Sequence, residues 1–254
     1  MKRCLIIFLL IFSLVVAGCS ENSAEVEETL PAVVVEEASP TPIAPSKSSA
    51  EEESIPCSLP LPGDENWTVV LCETFDDNRN AWDVETQDNP YAVYTSAIGD
   101  GKFKVDYAAK GFAGFQKSAL TWFPIGKERD FILSVTGTME SAFSDVSWGV
   151  SFRGDGDSFF LFSIKNDGTY AFEIYENGEW LQLISRRSNN AIRFGEANTM
   201  RIEAGGQDFY FSINDELVNQ FSGALLEGDE IQLIVSAKEG VRAEFSFDDM
   251  VLQN

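Results

Sequence analysis

The sequence predicts an all-β fold: a two-sheet antiparallel jelly-roll sandwich that follows a disordered N-terminal tether. Three observations predict it. Apolar residues recur with period two through most of residues 66–254, the mark of strands that bury one face. Asp-Gly, Asn-Gly and Gly-Gly pairs separate those runs, and such pairs suit hairpin turns because they tolerate positive φ. No stretch sustains a helical period.

Strands are expected near 67–74, 91–98, 102–108, 117–123, 130–139, 146–153, 157–165, 168–175, 179–186, 198–204, 207–213 and 217–222, with 230–252 splitting in two at Glu239-Gly240. In 130–139, Phe131, Leu133, Val135 and Met139 share one face, and Ser134, Thr136 and Thr138 the other. In 146–153, Val146, Trp148, Val150 and Phe152 oppose Ser147, Gly149, Ser151 and Arg153. In 169–175, Tyr170, Phe172 and Ile174 oppose Ala171, Glu173 and Tyr175. Asp155-Gly156, Asp167-Gly168 and Asn177-Gly178 join these runs, so 146–185 reads as a four-stranded meander. Asp100-Gly101, Gly205-Gly206 and Asn214-Asp215 are further turns. The continuous Phe159-Phe160-Leu161-Phe162 reads as a strand covered on both faces, with an exposed aromatic platform as the alternative. About thirteen strands in one uninterrupted unit suit a jelly roll better than an immunoglobulin-type domain, which needs about 100 residues. Two such domains in tandem are the structural alternative.

Residues 19–65 have a different composition. From Ser20 to Glu65 there are 11 acidic residues, one Lys (Lys47), seven of the chain's nine prolines and no aromatic residue. Such a segment cannot bury enough apolar area to offset its ordering entropy, and charge and Pro keep it extended. Before it, Lys2 and Arg3 precede an apolar run, Leu5 to Ala17, that is too short to span a membrane but has the length of a secretory core. The run ends in Val16-Ala17-Gly18-Cys19, which resembles the bacterial lipobox. Residues 1–18 are therefore expected to be a lipoprotein signal peptide. The resemblance implies a diacylglyceryl group on Cys19, membrane attachment through it, and display on the extracytoplasmic face of the cell membrane.

Composition excludes several classes of function. The chain of 254 residues has 18 Lys+Arg, 41 Asp+Glu, no His and a formal net charge of −23. Without His there is no Ser-His-Asp triad, Cys-His dyad or His-ligated zinc. The negative charge repels phosphate backbones, so no nucleic-acid partner is expected. Of four Cys, Cys4 leaves with the signal and Cys19 is acylated. Cys57 and Cys72 remain, an even pair expected to form a disulfide in an oxidising compartment.

Several segments resemble bacterial extracytoplasmic domains of the concanavalin A-like lectin/glucanase superfamily, which includes laminin-G-like modules. They are Phe75-Asp76-Asp77 with Ala81-Trp82, Gly149-Val150-Ser151-Phe152-Arg153, Phe159-Phe160-Leu161-Phe162, Asn166-Asp167-Gly168 and Asn177-Gly178-Glu179-Trp180. Asn198 to Ile202, Phe211 to Asn214 and the closing Phe245 to Val251 continue the likeness, which covers essentially all of 70–252. It implies two curved sheets whose concave face often meets carbohydrate. It implies no activity, because this fold hosts many.

The retaining glycosidases of that superfamily carry E-x-D-x-x-E or a similar pattern, which sets two carboxylates on one sheet face about 5 Å apart. The chain lacks it; Glu173-Ile174-Tyr175-Glu176 puts its carboxylates on opposite faces. The expectation is a non-catalytic, lipid-anchored binding module with carbohydrate as ligand. The alternatives are a glycan-processing hydrolase using loop carboxylates such as Asp155 and Asp157, and a protein-interaction module of an envelope complex. Sugar binding needs rings to stack on and planar polar groups to read hydroxyls. The candidates are Trp122, Arg153, Asp155, Asp157, Tyr175 and Trp180, while Trp82 and Trp148 read as core. No cofactor is expected beyond a structural calcium, for which Asp76, Asp77, Asp248 and Asp249 are candidate ligands if the first and last strands pair.

Overall fold

A computed structural model of the chain describes residues 64, 66–111, 130–223 and 226–254. Every regular element among them is a strand: β1 Val69–Glu73, β2 Thr86–Asp88, β3 Ala92–Gly99, β4 Lys102–Ala109, β5 Phe131–Met139, β6 Val146–Gly154 and β7 Phe159–Lys165. There follow β8 Thr169–Glu176, β9 Glu179–Ser188, β10 Ala197–Gly205, β11 Asp208–Ile213, β12 Glu216–Ser222, β13 Glu230–Ala237 and β14 Arg242–Gln253. One sheet runs β12-β11-β10-β5-β14-β4-β3-β2, with β1 added on β14; the second runs β13-β6-β7-β8-β9. The two form the expected antiparallel sandwich.

The predicted meander is present as β6 to β9, each strand paired with the next. The hairpin pairs Asp100-Gly101 and Asn177-Gly178 have φ of 57° and 67°, and 55° and 82°. That conformation matches the twist of the flanking strands. Thr86–Asp88 is a strand that the pattern did not suggest, because its three side chains are all exposed. The strand expected at 117–123 lies outside the described residues.

The segment 230–252 does split in two, but its halves enter different sheets. β14 pairs with β4 through 242–247 and with β5 through 245–253, and β1 pairs with its last residues. The first and last strands are thus neighbours. The switch occurs at a bulge between Asp248 and Val251, where Asp249 has φ of 46°; the extra residue lets one long strand change partners.

Aromatic rings fill the space between the sheets. Phe172 meets Phe211 at 4.6 Å and Phe209 at 5.6 Å, and Phe152 meets Phe131 at 5.8 Å. Such pairs stabilise beyond their buried area. Trp148 is core, as expected, and lies edge-on to Phe247. Trp82 is core too, packed on Phe75 and Phe103. Its Nε1 donates to the buried Glu73 carboxylate, which also accepts from the Phe75 amide and from Asn80. The Phe75-to-Trp82 motif is therefore a brace for the start of the domain.

Candidate functional site

Residues of β6 to β9 and β13 alternate between the shared core and the opposite, outer face of the five-stranded sheet. The strand pairings lay that outer face out in rows. Gln232, Ser151, Leu161, Glu173 and Gln182 stand side by side across all five strands. Ile234, Gly149, Ser163 and Ala171 form the next row. On the other flank, Phe159, Tyr175 and Trp180 are cross-strand neighbours.

Those three rings touch each other, with centroids 5.1 to 5.6 Å apart. Phe159 is buried and supports the exposed Trp180 and half-buried Tyr175. The reading of Phe159-Phe160-Leu161-Phe162 as a strand covered on both faces holds, and the exposed platform does not. The run is buried on both faces, with Phe160 and Phe162 in the main core and Phe159 and Leu161 on the outer side; Phe159 also underlies the aromatic patch.

Two residues along β8 from Tyr175, Glu173 faces the same way, at about 7 Å by strand geometry. Gln182 Nε2 donates to Glu173 Oε1 at 3.3 Å. Arg186 Nη2 donates to Ser163 Oγ at 3.1 Å and Nη1 to Thr169 Oγ1 at 3.4 Å. Arg186 Nη2 stands 4.0 Å from Glu173 Oε2. Glu173, Arg186 and Ser163 border a slot of about 110 Å³ lined also by Ser147, Gly149, Leu161, Ile234 and Ser236. Gly149 forms part of its floor. A Cβ there would meet Phe162 O at 2.4 Å, so the close approach of β6 to β7 requires glycine. In the same face Gln232 is 5% exposed, and its Oε1 has no hydrogen-bond partner.

A larger groove, about 470 Å³, lies over β4 and β14 on the outer side of the nine-stranded sheet. Its polar groups largely satisfy each other. Lys104 pairs with Asp100, Arg242 with Asp106, and Ser246 donates to Glu140.

The structure brings together Tyr175 and Trp180 from the sequence-predicted set. Arg153 is a correction: it does not line the polar face. Its φ of 51° breaks the strand alternation and turns the side chain into the interior, where it is 3% exposed. There its guanidinium lies over the rings of Phe209 at 5.0 Å and Phe131 at 5.9 Å, and donates to Gly206 O. Arg153 joins the two sheets. Asp155 Oδ1 accepts from the amides of Asp157 and Ser158, which makes it a turn-forming group, with Asp157 exposed in the same turn. Trp122, Cys19 and Cys57 lie outside the described residues.

The four expected calcium ligands do not form a metal-holding group. Asp77 is held by Arg79, whose hydrogen bonds keep its carboxyl below the usual range. Asp76 accepts from Thr74 and Asp248 from the Asp249 amide. Burial, then the charges of Asp248 and Asp76, push the Asp249 carboxyl up. Among the described residues no group of three or more His, Cys, Asp or Glu is placed to hold a metal ion.

Sequence reasoning missed Phe159, Glu173, Gln182, Arg186 and Gln232. Alternation did put Glu173 on the Tyr175 face, and that was the available signal. Gln182 and Arg186 were not findable, because bulges between β8 and β9 decide which residues of β9 face outward.

No family model matches the chain, and no curated protein matches it. Solved structures do. SCLam, a non-specific endo-β-1,3(4)-glucanase from family GH16, superposes with a TM-score of 0.52 and 10% identity, covering 74% of this chain and 91% of that one. The endo-β-1,3-glucanase from Pyrococcus furiosus gives 0.51 and 7%, covering 74% and 94%. The carbohydrate binding module CBM66 from Bacillus subtilis gives 0.45 and 16%, covering 74% and 95%. The two glucanases share the two-sheet β-sandwich fold of this chain.

Proposed function

We propose that this protein is a non-catalytic glycan-binding module, held on the extracytoplasmic side of a membrane by a lipid on Cys19. The observation that carries the reading is the outer face of the five-stranded sheet. There an aromatic patch, Tyr175 with Trp180, adjoins a row of planar polar side chains, Glu173, Gln182 and Arg186. Rings stack on sugar faces while such groups order the hydroxyls. The fold shared with glucanases agrees with it. Carboxylate spacing favours binding over hydrolysis. On this face Glu173 is flanked by Leu161 and Gln182 and not by a second acid, and Glu230 in β13 is three strands away, more than about 14 Å, beyond the roughly 5–9.5 Å that glycosidases use. Asp155 is engaged in its turn.

Affinity electrophoresis of the full chain through gels containing neutral polysaccharides tests this. Retardation by at least one polymer is expected, with loss in Trp180→Ala and no release of reducing sugar. Absence of retardation across the panel, or hydrolysis abolished by Asp157→Asn, would overturn it. For the anchor, Cys19→Ser should move the protein from the membrane to the soluble fraction and stop incorporation of labelled fatty acid; retention in the membrane would refute the lipid.

A further inference from the structure

The unclosed Glu173–Arg186 pair points to the kind of sugar. Glu173 Oε2 and Arg186 Nη2 are 4.0 Å apart, inside ion-pair range but beyond hydrogen-bond reach. Both side chains are largely buried, at 18% and 30% exposure. Each is held from the side: Glu173 by Gln182, Arg186 by Ser163 and Thr169. A carboxylate and a guanidinium fixed so close would ordinarily close to a bidentate contact. Here the side contacts hold them apart at the mouth of a slot floored by Gly149.

We infer that Glu173 and Arg186 together read a vicinal diol, so that the ligand is a neutral glycan with two adjacent free hydroxyls on its sugar rings. One hydroxyl donates to Glu173 Oε2, and its neighbour accepts from Arg186. The two groups complete between sugar oxygens the contact that they do not complete with each other. Charge sets the class. The pair carries no net charge, and a neutral diol satisfies its acceptor and its donor at once, whereas an anionic group pairs with Arg186 and leaves Glu173 without a donor. This rests on the glycan-binding reading and names the specificity-determining residues of that same site. The chain would run along β8, stacking one ring on Tyr175 and Trp180 and presenting the next to the slot.

Linkage chemistry provides the test. A 1,4-linked glucan carries the 2,3-diol along its whole length, whereas a 1,3-linked glucan has no internal vicinal diol. Periodate followed by borohydride cleaves the former and spares the latter's interior. Affinity electrophoresis should therefore show binding of a soluble 1,4-linked polymer, hydroxyethyl cellulose of low substitution or glucomannan. Periodate treatment should weaken that binding at least tenfold, and Glu173→Gln and Arg186→Met by a similar factor. Thermal melts would verify that both variants are folded; should either be unfolded, Gln182→Leu, which frees Glu173, serves in its place. Equal binding before and after periodate, or full binding by folded Glu173→Gln, would overturn the diol assignment. If Trp180→Ala abolishes binding while those variants do not, the glycan-binding reading stands and this inference fails. A panel with no binder at all sinks both.

Discussion

A methyl group on Gly137 would lie 2.8 Å from the Trp148 ring and 3.0 Å from Phe247. Gly137→Ala should therefore destabilise the domain by about 1–3 kcal/mol through overpacking, as read from a urea midpoint. Arg153 acts by its placement as well. Arg153→Met would strip Gly206 O, in the half-buried β10–β11 turn, of a charged donor, at about 1–3 kcal/mol. Folding should suffer while glycan binding by the remaining folded fraction stays normal. Asp249 illustrates the opposite sign. Burial raises its folded-state pKa, so its ionised form opposes folding at pH 7, and that penalty disappears as pH falls through the raised value. Asp249→Asn should be more stable than the parent at pH 7, with the two denaturation midpoints converging toward pH 4. Asn also tolerates the positive φ there.

At the scale of elements, β6 and β7 meet across Gly149, with Phe162 O too near for any side chain. Gly149→Ala should force the strands apart and cost about 1–3 kcal/mol, and because the same glycine floors the slot, affinity for glycan should fall in the folded fraction. Most strands were legible because each buries one face, and period two then appears directly in the residues. The limits of that logic are visible in particular places. β2 buries nothing and so left no pattern. Arg153 obeyed alternation in sequence and broke it in space, because a single positive φ at the end of β6 turned the last residue inward. Glu173 and Tyr175 were placed on one face correctly, whereas bulges in β9 concealed Gln182 and Arg186.

For the whole molecule, charge and covalent closure set the conditions for folding. Arg242 beside Asp106 holds that carboxyl below its usual range, and Thr169 and Lys165 do the same for Asp167 against the opposing effect of burial. Carboxylates with lowered folded-state pKa contribute stability above about pH 3.9, the unfolded value, and lose it as pH falls through the lower folded values. Stability should hold or rise slightly from pH 7 toward pH 5, as Asp249 takes up its proton and the excess of 23 negative charges begins to fall, and then drop below pH 4. Circular dichroism melts across that range would show it. We propose that Cys72, half-buried in β1, bridges to Cys57. Reduction should then lower stability by about 3 kcal/mol, and unfolding without reductant should expose neither thiol to a labelling reagent.

The linear chain by itself determined that this is a β protein with a compositionally distinct leader, where its turns fall, and which side chains share a strand face, since each of these depends only on neighbours a few residues apart. It also ruled out His-dependent chemistry outright. Tertiary structure alone decided that β13 and β14 part into different sheets, that Arg153 lies between the layers, and that Glu173, Gln182, Arg186 and Gln232 share one surface. The reason is physical: those relations are fixed by long-range pairing and by backbone irregularities, and no local periodicity encodes them.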